Sequence, residues 1–186
     1  MNYYLIAKFI HIVGALGFFV ALGVEWLSLR HTQQSATSDQ VRERLQIFGS
    51  AHRVGMPSML LALISGLYMM VTVWGPVAWV IVSLVALVLL IMVALMLTRP
   101  RMAMIMQALA TEHGTLSPSL TTLLHNSLLW LSIRMRINIA LGMVFLMTVK
   151  PALAGSLLTL GITIVIALAS ALPTSGRDKV QKELAN

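Results

Sequence analysis

Cysteine is absent from all 186 residues, which excludes disulfides, thiolate metal sites and cysteine nucleophiles. Charge is scarce as well: 10% of the chain is Asp, Glu, Lys or Arg, where a soluble domain carries about 25%. Acid is scarcest. Of the six carboxylates only Glu25 falls inside an apolar run, so a carboxylate proton relay has almost no material to work with. No phosphate-cradling loop, carboxylate cluster or nucleophile–base pair occurs, which argues against nucleotide-driven and hydrolytic chemistry. What the sequence does have is apolar surface, with 58% hydrophobic residues and a mean hydropathy of +0.88. A surface of that kind is solvated by lipid, and no enzyme class follows from composition.

Five stretches reach the roughly 20 apolar residues that a transmembrane helix needs: residues 3–29, 54–74, 77–98, 128–149 and 152–172. They predict an all-α, polytopic bundle over residues 1–173, followed by a polar tail over 174–186. The first run has a cation inside it and no small-residue cleavage site, so it reads as a retained span rather than a signal peptide. Gly75-Pro76 and Lys150-Pro151 interrupt the runs so briefly that each must close a tight hairpin. The net charge of +7 would suggest nucleic acid in a soluble protein. Here the cations cluster in loops: Arg30, Arg42, Arg44 and Arg53 in the first, Arg99 and Arg101 in the second, Arg177, Lys179 and Lys182 in the tail. That is the positive-inside signal. It predicts the N-terminus outside, the C-terminus in the cytoplasm, a bacterial inner membrane and no nucleic-acid partner. Tyr3, Tyr4, Trp74 and Trp79 then form an outer aromatic belt, and Trp26 and Trp130 an inner one. Between the spans, Thr37 and Gln40 fit a capping box opening a short helix that ends near Gly49. Arg101–His113 reads as an interfacial helix, and Ser117-Pro118 as the start of a helix running to Val149.

Ionisable groups within a span are costly and are candidates for function by default. Lys8, His11, Gly14, Phe18, Ala21 and Glu25 share one helical stripe, which predicts that all three ionisable groups face the bundle, with Gly14 and Ala21 allowing close helix approach. Ser127, Arg134, Asn138, Leu141, Phe145 and Thr148 form a matching stripe in the fourth span. At ~1.5 Å per residue, Glu25 and Arg134 reach similar depth, which predicts a structural Glu25–Arg134 ion pair, with Arg136 snorkelling to the headgroups. His11 lies about 12 Å in from Tyr3 and needs a partner. It is either bonded to a neighbouring helix or a ligand to haem iron or copper, both of which imidazole suits. Met70, at similar depth and on a face with Met59 and Gly66, is the preferred second ligand. Met143 and Met147 match in depth but face away from the Arg134 stripe, as packing or lipid-facing residues. No other histidine lies at membrane depth, and the Met102, Met104 and Met106 alternation does not fall on one helical face.

The run Lys8-Phe9-Ile10-His11-Ile12-Val13-Gly14, then Ser65-Gly66-Leu67 after Pro57, then Leu146-Met147-Thr148-Val149-Lys150-Pro151, resembles the HemJ/CopD-like superfamily of small bacterial integral membrane proteins. HemJ is associated with b-type haem and protoporphyrinogen oxidation, CopD with copper resistance. The resemblance implies a haem- or quinone-linked redox protein with His11 as its first-span histidine and Lys150 as its Lys-Pro lysine, both at a cofactor site. That is the leading expectation; the alternatives are copper or small-solute transport of the CopD kind, and a non-catalytic subunit of a membrane complex or homo-oligomer. The chain departs from HemJ where Asn138 is followed by Ile139 and Ala140 instead of an Asn-Glu-x-Pro segment.

Overall fold

The computed structural model describes residues 3–170; the polar tail and the end of the last apolar run lie outside them. Among the described residues every regular element is helical: α1 (Tyr3–Thr32), α2 (Ser38–Met69), α3 (Ala78–Val93), α4 (Arg99–Thr111), α5 (Pro118–Leu124), α6 (Ser127–Val149) and α7 (Leu153–Ala169). Two π turns, Met70–Trp74 and Ala94–Thr98, extend α2 and join α3 to α4 without a break. Four stretches are long and apolar enough to cross a membrane: Tyr3–Thr32, Ser38–Trp74, Ala78–Thr111 and Pro118–Val149, the last with a break at His125. The fifth, Leu153–Ala169, has 17 residues, the lower limit for a span.

Burial is inverted in the middle of the bundle, as a lipid solvent requires. Phe9, Leu16, Val20, Ile64, Val88 and Val165 are exposed, while Glu25, Ser65, Ser83, Ser132, Arg136 and Ser156 are buried. Helix α1 lies along α2, and α6 packs against α3, α7 and α1. The α1–α2 contact is close because it is made by small residues. A Cβ on Gly14 would stand 2.7 Å from Ala62 N and from Ser58 O, and one on Gly55 2.9 Å from the Ala21 methyl.

Both expected breaks are present: after Lys150-Pro151 α7 turns back along α6, whereas after Gly75-Pro76 the chain turns but α3 packs on α6 and not along α2. Gly75 has φ of 68° and Lys150, capping α6, φ of 52°. The Lys150 ammonium lies 3.8 Å from the Trp74 ring centroid and 5.6 Å from that of Trp79, and these two indoles meet edge to face at 5.7 Å. The α6–α7 link is thereby tied to the α2–α3 link by cation–π attraction.

Helices α1 and α2, and α3 with its continuation into α4, outrun a ~30 Å hydrocarbon layer, and at the arginine-rich end their extensions fold with α5 into a packed cap. Leu29, Val41, Leu45, Ile105, Leu120 and Leu129 belong to its core. The arginines there hold helix ends. Arg42 Nη2 donates to Leu109 O and Glu112 O, each at 2.7 Å, and Arg44 to Ser35 Oγ at 3.0 Å and to His31 O. Arg101 donates to Met96 O and Leu97 O at 3.1 and 2.9 Å, carbonyls of the π turn just before Pro100.

Three expected boundaries are corrected. The helix opened by Thr37 does not end near Gly49. Gln40 N donates to Thr37 Oγ1 and Ala36 N to Gln40 Oε1, and the helix then runs on to Met69. One isolated glycine costs a helix only about 1 kcal/mol, and the buried stripe Val41, Leu45, Phe48, Ala51, Gly55, Met59 continues across it. Arg101–His113 is no separate interfacial helix but the continuation of α3. Conversely, Pro118 does not start one helix to Val149: the chain breaks at His125, and Asn126 recaps it by accepting from Leu128 N and Leu129 N.

Candidate functional site

The site begins at α1, where the Gly14 contact brings the His11 ring onto the backbone of α2. His11 Nδ1 lies 2.7 Å from Ala62 O. A carbonyl only accepts, so Nδ1 carries the proton. Gly66 makes the approach possible, since a Cβ there would stand 3.1 Å from His11 Cε1 and 3.2 Å from Nδ1. His11 Nε2 then points across to α6 and lies 3.4 Å from Met147 Sδ. In a neutral imidazole with Nδ1 protonated, Nε2 is a bare lone pair, and a thioether has no proton to give it. Two electron-rich atoms face each other. At this separation they can stand in plain van der Waals contact, share a weak bond if the ring is charged, or together offer two donors to a soft cation.

The sulfur that His11 faces belongs to Met147, while Met70, the expected second ligand, opens the π turn at the end of α2. Met147 was assigned to packing because its face was judged against the Arg134 stripe, and that stripe points outward. The donor spacing tests which group fits. Bonds of ~2.0 Å to nitrogen and ~2.3 Å to sulfur place two ligands of a tetrahedral ion about 3.5 Å apart, and the two axial ligands of a haem iron about 4.3 Å apart. The observed 3.4 Å fits one small ion held from one side. It does not fit His11 and Met147 as opposed axial ligands. Among the described residues no cluster of three or more His, Asp or Glu side chains is placed to hold a metal, so any ion here would rely on imidazole and thioether. Lys150, the other residue assigned to the cofactor, is engaged with Trp74 and Trp79 at the end of α6.

A second constellation lies at the arginine-rich end. Glu25 is buried, and its Oε2 accepts from Arg136 Nη2 at 2.7 Å while Oε1 lies 3.6 Å from His52 Nδ1. The predicted Glu25–Arg134 pair is therefore corrected to Glu25–Arg136. Residues 134 and 136 lie on nearly opposite helix faces, and the face that packs inward carries Ser132 and Ala140, one turn to either side of Arg136. Leu141 and Phe145, on the Arg134 stripe, are exposed. The small residues beside Arg136 were the missed signal, because close packing in lipid needs small side chains. Lys8, expected to face the bundle with His11 and Glu25, is exposed. Arg136 Nε is buried without a partner among the described residues.

Arg134 instead lines a recess of about 470 Å³ with Trp26, Arg30, Gln33 and Trp130. Of the remaining histidines, His125 Nδ1 bonds back to Thr121 O at 2.9 Å. Comparison with protein-family models, characterised proteins and solved structures finds no match for this chain.

Proposed function

We propose that the chain is a multi-pass protein of a bacterial inner membrane that binds a soft metal ion, Cu(I) by its chemistry, through His11 Nε2 and Met147 Sδ. One observation carries this reading: an imidazole lone pair, fixed by the Nδ1 bond to Ala62 O, is aimed at a thioether 3.4 Å away. Histidine ligands to metals characteristically donate their other ring N–H to a backbone carbonyl or carboxylate, and thioether selects Cu(I) over harder ions. Two protein donors leave coordination positions open, as handling of an ion in transit requires. The five-span arrangement, N-terminus outside and C-terminus in the cytoplasm, rests on the arginine asymmetry and places His11 in the outer half of the bilayer. The reading accords with the copper side of the HemJ/CopD resemblance.

The haem- or quinone-linked redox reading is the second. The fixed His11 tautomer favours axial ligation equally, but there Met147 would have to withdraw. One preparation decides between them. The detergent-purified protein is titrated with Cu(I) under a competing chelator, and its absorption is recorded oxidised and dithionite-reduced, beside His11→Ala and Met147→Leu. The expected result is one tightly held Cu(I) per chain, weakened at least tenfold in each variant. A Soret band lost in His11→Ala but kept in Met147→Leu would install the haem reading instead. Neither copper nor a Soret band would reduce His11 to a helix-packing residue and favour a non-catalytic subunit.

A further inference from the structure

We infer that the recess between α1 and α6 at the arginine-rich end is a binding site for one anionic phospholipid, its phosphate held by Arg30 and Arg134. The inference is independent of the His11 site. Most other arginines in that cap or beside it have work: Arg42, Arg44 and Arg101 hold carbonyls, Arg53 reaches Ser50 Oγ, and Arg136 holds Glu25; Arg99 is exposed and is not among the residues that line the recess. Arg30 and Arg134 have no carboxylate among the described residues. Two guanidinium groups lining one recess repel each other, and an oxyanion between them turns that repulsion into two charge-assisted bonds.

The rest of the lining suits a lipid rather than free phosphate. Trp26 lies under Arg30, with the guanidinium carbon 5.4 Å from the ring centroid, and Gln33 is steadied by its bond to Leu124 O at 3.3 Å. Trp130 completes the lining, its indole N–H buried beneath without an acceptor among the described residues. Arg30 lies about 40 Å along α1 from Tyr3, where the helix has left a ~30 Å hydrocarbon layer, at headgroup level. From the recess towards the other end of the bundle, the same face of α1 passes Gly23, which has nothing within 4 Å of its missing Cβ, and reaches exposed Leu16. The same face of α6 passes exposed Leu141 and Phe145. An acyl chain therefore has an open apolar track directly above the phosphate position, which a free anion would not use.

The test is native mass spectrometry of the full chain, released from detergent micelles doped with phosphatidylglycerol or phosphatidylcholine of identical acyl chains, with and without millimolar inorganic phosphate. Retention of one phosphatidylglycerol at least tenfold over phosphatidylcholine is expected. Arg30→Gln/Arg134→Gln should abolish that preference, and inorganic phosphate should leave it unchanged. Equal retention of both lipids, or a preference that survives the double variant, would overturn the proposal. So would binding of inorganic phosphate without lipid selectivity, which would mark a free-anion site. Should the double variant fail to fold, quenching of tryptophan fluorescence by chain-brominated lipids decides in the unmodified protein. Stronger quenching by the brominated phosphatidylglycerol supports the site, and equal quenching by both lipids sinks it.

Discussion

Glu25 and Arg136 illustrate what a single residue does in this bundle. Each is buried, each is a charge taken out of water, and they are tolerable only together. Removing one partner of a buried pair costs about 3–5 kcal/mol, whereas replacing both with apolar groups of similar volume is often neutral. Arg136→Met alone is therefore expected to lower thermal stability in detergent sharply, and Glu25→Leu/Arg136→Met to recover most of the loss. A double variant as unstable as the sum of the singles would show that Glu25 and Arg136 are not energetically coupled. His52 Nδ1, 3.6 Å from the free oxygen, is the group to vary next. At the same scale the arginines differ in role: Arg42, Arg44 and Arg101 end on helix carbonyls and belong to the fold, whereas Arg30 and Arg134 face one recess together.

The helices owe their contacts to where small residues fall. Along the α1–α2 seam, Gly14 meets Ser58 and Ala62, and Gly55 meets Ala21, and this seam seats His11 on the Ala62 carbonyl. Gly14→Val would drive a side chain into α2 backbone 2.7 Å away and must part the helices, at a cost of about 1–3 kcal/mol. It should also weaken the retention of Cu(I) by withdrawing His11 from Ala62. Gly49→Ala is the matched comparison. Nothing lies near its missing Cβ, so removing a helical glycine should stabilise the protein by about 0.5–1 kcal/mol and leave metal retention alone. Thermal melting and chelator competition on both variants check the pair; equal behaviour would mean that the seam does not support the site.

For the whole molecule, the cap of α4, α5 and the extended ends of α1 and α2 gives one end a packed, arginine-rich face, while Lys150, Trp74 and Trp79 close the other. The proposed orientation places the cap in the cytoplasm. A chain without cysteine is suited to the measurement, because any introduced thiol is the only one. Ala36→Cys and Ala152→Cys, both at exposed positions and labelled in intact cells with a membrane-impermeant maleimide, should react oppositely: position 152 from outside, position 36 only after permeabilisation. The reverse pattern would invert the topology and carry His11 to the cytoplasmic half.

The helices, the two breaks at Gly75-Pro76 and Lys150-Pro151, and the close-packing role of Gly14 and Ala21 were legible in the sequence. Each depends on local chemistry: length of apolar run, a proline that breaks helical geometry, a side chain too small to hold a neighbour off. His11 was legible as a candidate for the same reason, being an imidazole among apolar neighbours. Which groups it meets was not. Helical periodicity fixes a residue's face but not which face turns inward, and a polar stripe on α6 proved to be an outer edge while Arg136, on the opposite face, went to the core. The partners Glu25–Arg136 and His11–Met147 join residues 111 and 136 positions apart. Only the rotation of α6 against α1, set by packing of small side chains along both, decided them.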